Sequence, residues 1–356
     1  MAFTWGKNLK ITIFGESHGK CVGAVIDGLG AGIDINHEKI KNKLEKRRPS
    51  TSAGSTKRRE DDEYDIISGI FNNKTNGGPI TVLFSNKDSR SRDYEKVRNI
   101  PRPSHADYPA YIKYGNHNDF RGGGFFSARM TAPIVFASAL LSSILESDGI
   151  IVKSHLLQVG SICDKSYLEY SYENLENIVI NQNSIYLNKI FEENVSHLIK
   201  EVNERGDSVG ARVEGIVIGL KPGIGEPYFD SIESKVSSLM FSIPGIKAIE
   251  FGIGVDFANS FGSVVNDEYM IVDDKISTYT NNNGGILGGL STGMPIVCKA
   301  TFKPTPSIMK EQRTVDLSQK TDKTINIEGR HDSCIGIRGA VLVESVLTLA
   351  LYDLLY

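Results

Sequence analysis

Three of the chain's seven histidines sit in short strings of small and charged residues: GESHG (15–19), RPSHADY (102–108) and GRHDSC (329–334). They lie near the start, in the first third and near the end, so no single local element explains all three. Each string sets an imidazole beside a hydroxyl, a carboxylate or an arginine. Imidazole titrates near neutrality and guanidinium holds anions, so the pattern fits proton transfer to or from an anionic substrate. His18 and His105 each follow a serine in a loop-like string and are the first candidates. His331 buttresses Arg330 and Asp332. His37, His155 and His197 lie in ordinary helix-like or strand-like settings and read as satisfied structural residues, while His117 is open to either reading.

Arginines supply the binding half. Arg47, Arg48, Arg58, Arg59, Arg102, Arg121, Arg129, Arg330 and Arg338 fall mostly in the same loops as the histidines. For Arg58 and Arg59 a solvated face is as good an account as a binding one. Arg129 is different: it follows Gly122, Gly123 and Gly124 and belongs to the first turn of an expected helix. Free backbone N–H groups, the positive end of the helix dipole and a guanidinium together make an anion site there. The residues thus point to an enzyme acting on a polyanionic small molecule.

The elements that must position these groups follow from periodicity and turn chemistry. Residues 10–14 read as a strand ending at Gly15. Asn36 caps a helix carrying Ile40 and Leu44 that stops before Pro49. Residues 50–65 are polar and read as a loop, as do 86–102, with a strand at 80–84 between them. The glycine-rich turn 121–124 leads into an apolar helix over 127–146, with Ser127 as N-cap and Gly149 just past its end. Further on come an amphipathic helix over 185–205, a strand of alternating burial over 209–220 and a helix over 232–241. A second glycine-rich loop, 281–289, precedes a strand at 295–303. An apolar helix over 337–354 closes the chain. No repeat or linker appears, so one α/β or α+β domain spanning 1–356 is expected.

Composition narrows the function. A formal net charge of -3 gives no nucleic-acid footprint. The four cysteines are far apart and form no CxxC pair, which fits a reducing compartment. The apolar stretch 340–354 carries Glu344 and Asp353 and is too short to span a bilayer. No secretory signal opens the chain, and a cytoplasmic protein without a membrane partner is expected. P-loop and Rossmann fingerprints do not occur. GESHG does fit the nucleophile elbow of serine hydrolases, with Ser17 as nucleophile. Residues 20–34, however, hold glycines and β-branched residues where the elbow needs a helix, so this is the weaker alternative. A binding scaffold is the remaining non-enzymatic reading.

Taken in order, GESHG, RRPSTS, NGGPI, RPSHADY, FRGGG with SAR, GGILGG, KPTPSI and GRHD resemble the chorismate synthases over essentially the whole chain. The resemblance implies a β-α-β sandwich of the α+β class, helices held between antiparallel sheets, in a homotetramer. It implies a 1,4-anti elimination of phosphate from 5-enolpyruvylshikimate 3-phosphate to give chorismate, dependent on reduced FMN although no net redox change occurs. His18 would protonate the leaving phosphate with Ser17 beside it. His105 would protonate or hydrogen-bond the reduced flavin, and Asp332 would assist proton removal through flavin N5. Arg48, Arg129 and Arg330 would hold the substrate. Phe125, Phe126, Ser127, Gly288, Lys303, Pro304, Thr305, Pro306, Ser307 and Arg330 would hold FMN. Where the family usually reads GGGRSSARET this chain has GGGFFSARMT, so Phe125, Phe126 and Met130 replace polar residues and hydrogen bonds to the flavin there are lost. Ala53 stands where many relatives have an arginine assigned to NADPH. Length and the lack of inserts resemble the bacterial monofunctional type, which meets NADPH only indirectly, through an external flavin reductase.

Overall fold

Two five-stranded antiparallel sheets face each other across a layer of helices. The computed structural model describes residues 2–48, 62–86, 98–327 and 332–356. The first sheet runs Thr4–Trp5, Lys10–Gly15, Cys21–Asp27, Ile80–Ser85 and Tyr64–Ser68 in spatial order. The second runs Ile246–Phe251, Ile296–Phe302, Ala211–Ile218, Ile151–Val159 and Ile162–Cys163. This is the expected α+β sandwich.

Helices α1 (His37–Arg47), α2 (Asp107–Tyr114), α3 (Ala132–Ser147), α4 (Tyr172–Asn181), α5 (Lys189–Glu204), α6 (Ile232–Met240) and α7 (Gly336–Leu355) carry the rest of the argument. The apolar helices α3 and α7 pack on each other, α3 beneath the first sheet and α7 beneath the second. Ile80, Val82 and Phe84 alternate inward along their strand toward α3, as a half-covered sheet requires. Gly339 lets α7 approach the second sheet, because a Cβ there would lie 2.6 Å from the Phe302 ring. The run Arg121–Ser147 is long and apolar enough to cross a membrane, but 83% of its window is buried inside the protein, so it serves as core.

Several boundaries depart from expectation. Ala211–Ile218 is buried almost throughout instead of alternating, because both of its faces are covered. Val213 and Val217 belong to the main core, while Ile216 and Ile218 join a second cluster with Tyr167, Leu175 and Val179. Helix α5 begins at Lys189, not 185, since the Asn188 side chain caps it by accepting the Ile190 N–H. The long helix begins at Ala132, not 127. Pro133 has no N–H to give the Arg129 carbonyl, so the Ala132 N–H takes that oxygen and tightens the preceding turn, Ala128–Thr131, into a 3-10 helix.

The chain's two ends are fastened together. Asp353 Oδ1, near the end of α7, accepts the backbone N–H groups of Lys7, Asn8 and Leu9 at 2.8, 2.7 and 2.8 Å. Its other oxygen accepts from Lys235 at 2.8 Å. The first sheet's entry strand is thereby hung on the last helix.

Candidate active site

The GESHG string is the loop between the antiparallel strands Lys10–Gly15 and Cys21–Asp27. It lies against the glycine turn that follows Phe120. The Ser17 N–H donates to the Gly124 carbonyl at 3.2 Å, and Ser17 Oγ is 3.2 Å from His18 Nδ1. That hydroxyl also lies 3.4 and 3.3 Å from the carbonyls of Arg121 and Gly122. Ser17 is 1% exposed and leads into a strand, so it is neither a presented nucleophile nor on an elbow, and the hydrolase reading is set aside.

His18 itself is 7% exposed, and a Cβ on Gly122 would lie 2.0 Å from its Cε1. Gly122 also has φ of +58°, a left-handed conformation that suits glycine. Gly122→Ala is therefore expected to push the imidazole from its place and lower turnover on the order of 10²-fold, the loss typical of a small misplacement of a reacting group. Steady-state assay of the variant checks this, and full activity would show that the ring has room to move.

Behind the loop lies a group of cations that composition alone did not assemble. Asp62, 3% exposed, accepts from Arg47 at 2.6 Å and from Arg129 Nη1. Arg48 Nε stands 4.0 Å from the same carboxylate and is a buried donor with no hydrogen-bond partner among the described residues. Burial opposes the charge on Asp62, yet Arg47 and Arg129 hold its carboxyl below the ordinary range. Sequence reading missed Asp62 by placing it in a polar loop over 50–65; it is buried, and Tyr64–Ser68 is a strand. Arg129 likewise sits not in a long helix but in a four-residue 3-10 turn, where its N–H reaches Ser127 Oγ at 3.3 Å.

Hydrogen bonds run outward from this group in two directions. Arg129 Nε donates to Asn86 Oδ1 at 3.1 Å, and Asn86 grips the GESHG loop. On the other side Arg338 Nε donates to the Arg47 carbonyl at 2.7 Å, and its Nη1 pairs with Asp332 at 2.7 Å. His18 and Asp332 thus belong to one continuous polar network. Arg330, His331, Ala53, Arg58 and Arg59 lie outside the described residues.

The second histidine is built separately. His105 Nδ1 is 3.0 Å from the Pro103 carbonyl, which can only accept, so Nδ1 carries the proton. Nε2 then accepts from Ser307 Oγ at 3.0 Å. Burial, reinforced by Arg102, pulls the His105 pKa down to about 4, so the imidazole is neutral at physiological pH. Lys303 Nζ donates to the Ser104 carbonyl at 2.6 Å, binding KPTPSI to RPSHADY. Helix α2 then connects the two halves: it starts just after His105, and its last residue, Tyr114, packs edge-on against Phe125 of the glycine turn.

The flavin-binding residues implied by the sequence divide. Thr305 Oγ1 is buried without a hydrogen-bond partner among the described residues, a hydroxyl that a phosphate oxygen would satisfy, so the KPTPSI segment fits a phosphate-bearing group such as flavin mononucleotide. Phe126 is 42% exposed, whereas Phe125 packs against Phe3 and Tyr114 and Met130 is core. Gly288 lies in the turn between the paired strands Ile286–Leu287 and Leu290–Ser291, while Lys303 follows the end of the strand Ile296–Phe302.

The family model described as Chorismate synthase matches residues 9–356. The chain belongs to the chorismate synthase family. It is 42% identical to the chorismate synthase of Thermococcus kodakarensis over 98% of this chain and 96% of that one. The corresponding protein of Pyrococcus abyssi is 44% identical over the same shares. A solved structure, "Crystal Structure of Chorismate Synthase", superposes with a TM-score of 0.76 at 28% identity, covering 98% of this chain and 92% of that one. The activity is therefore the carbon–oxygen lyase reaction that removes phosphate from 5-enolpyruvylshikimate 3-phosphate to form chorismate, a step of aromatic amino-acid biosynthesis in a family that uses reduced flavin.

Proposed function

We propose that the elimination runs with reduced FMN, with His18 protonating the departing phosphate and the arginines around Asp62 holding the substrate's anionic groups. The observation that carries this reading is that Arg47, Arg48 and Arg129 share the single carboxylate of Asp62 one residue, Asn86, away from the acid's loop. Such a group keeps an excess of positive charge where a phosphate and two carboxylates must be bound and charge develops on the leaving group. Ser17 and Gly122 fix the imidazole. Asp332, oriented by Arg338, assists removal of the C6 proton, and Arg330 completes the anion site. His105, neutral and held by Ser307, presents Nε2 as an acceptor at the flavin; an anionic group beside Nε2 would raise its pKa and let it carry a proton.

When bound, reduced flavin would supply the electron density that eases departure of the phosphate. Lys303, Pro304, Thr305, Pro306, Ser307, Phe125, Phe126, Ser127, Gly288 and Arg330 would hold the cofactor. Of the two rings Phe126 is the exposed one, so Phe126→Ala is expected to weaken FMN binding about 10- to 150-fold, in line with the loss of roughly 1.5–3 kcal/mol of buried aromatic contact. Titration of FMN and substrate would show the first constant move and the second hold; equal loss of both would assign Phe126 a packing role.

A homotetramer, a cytoplasmic location and an external flavin reductase complete the proposal, with NADPH acting only through that reductase. Exposed apolar side chains on the hairpin of Tyr269–Val272 and Lys275–Thr278 support self-association, Tyr269 being 66%, Ile271 77% and Ile276 72% exposed. The test is an anaerobic assay with reduced FMN, oxidised FMN, or oxidised FMN plus NADPH. Turnover with reduced FMN alone is expected. Turnover with NADPH would establish an intrinsic reductase, and none in any arm would overturn the assignment of FMN.

A further inference from the structure

Asn86 follows the strand Ile80–Ser85, and every polar atom of its side chain is committed. Its Nδ2 donates to the carbonyls of Glu16 at 2.9 Å and Gly19 at 3.0 Å, the residues on either side of Ser17 and His18. Its Oδ1 accepts from Arg129 Nε at 3.1 Å. The amide has one possible orientation, because two partners only accept and the third only donates. Its backbone N–H adds a bond to the Lys20 carbonyl at 3.2 Å, and the loop closes on itself through Gly19 N–H to the Glu16 carbonyl at 3.0 Å. A single side chain therefore clamps both shoulders of the histidine loop and is itself held by an arginine of the anion-binding group.

We propose that Asn86 is a positioning residue: it holds the His18 loop in register and joins that register to the guanidinium of Arg129. This rests on His18 being the acid. Without the clamp the two carbonyls turn to water, the loop samples other conformations and the imidazole spends less time aimed at the leaving group.

The experiment compares Asn86→Ala, His18→Ala and the double variant with reduced FMN under anaerobic conditions, alongside thermal unfolding. Asn86→Ala is expected to lower kcat about 10–100-fold with smaller changes in KM, the scale of a misplaced catalytic group. Added to His18→Ala it is expected to cost nothing further, since coupled residues are non-additive. Wild-type kcat in Asn86→Ala while His18→Ala is impaired would overturn the positioning role. Losses that multiply in the double variant would overturn it too, since Asn86 would then act elsewhere. Full activity in His18→Ala would instead overturn the assignment of the acid. Asn86→Asp is the second variant should alanine fail to fold: it can still accept from Arg129 but loses both donors, and the same fall in kcat is expected.

Discussion

His18→Ala and His105→Ala are each expected to lower turnover by roughly 10²–10⁴-fold while leaving the fold intact, the usual range for a positioned proton donor or acceptor. The fold survives because neither ring is core packing. The His18 loop is held by its own backbone bonds and by Asn86, and His105 caps a turn whose Arg102–Asp107 pair remains. The two variants separate by pH. The burial that pulls His105 down to about 4 leaves it neutral throughout the working range of the free enzyme. Any limb of kcat/KM between about pH 5 and 8 then belongs to another group, and removing His105 is expected to leave its midpoint in place. Anaerobic assay of both purified variants across pH, with circular dichroism as the control for folding, is the measurement. Near-normal turnover in either variant would remove that histidine from the mechanism.

The second large effect concerns stability. Asp62→Ala leaves Arg47, 4% exposed, as a buried charge without its carboxylate, and breaking a buried pair from one side costs about 3–5 kcal/mol. The thermal midpoint is expected to fall by about 4–7 °C in a chain of this size. The sign with pH follows from the depressed carboxyl. Its stabilisation is complete above the ordinary value of 3.8 and is lost as pH falls through the lower folded value. Wild type and Asp62→Ala are therefore expected to converge in stability on acidification below that value. Calorimetric scans at neutral and acidic pH decide it; an unchanged midpoint at neutral pH would mean that Arg47 finds another counter-charge.

What could be read from the residues was local, and what could not was the pairing between distant segments. The strings around His18 and His105 are loops because their small residues and glycines say so, and the structure has them as loops. Asp62 was concealed at the end of a run of charged residues, just before Tyr64, Ile66 and Ile67 enter the strand beside it. Half of the clue lay in α1. Ile40, Lys43, Leu44 and Arg47 fall at the i, i+3, i+4, i+7 spacing of a buried helical stripe, and two of the four are cations. Buried cations demand partners, and the structure supplies Glu344 for Lys43 and Asp62 for Arg47. Pro133 similarly carried the reason for the late start of α3, a missing N–H, but periodicity over 127–146 concealed it. The even burial of Ala211–Ile218 depends on α7 and α4, both remote in sequence, covering opposite faces.

The clasp of Asp353 on Lys7, Asn8 and Leu9 has a kinetic side. Those bonds span sequence separations of 346, 345 and 344, nearly the full length of the chain. Closing so long a loop is entropically unfavourable until the intervening core has formed, and non-local contacts of this kind slow folding. The strands on either side of Lys7–Leu9 find partners nearby, but the three N–H groups of that turn have none until α7 has formed. The turn at Lys7–Leu9 is thus among the last parts to be fastened, and the last turn of α7 acts as the latch.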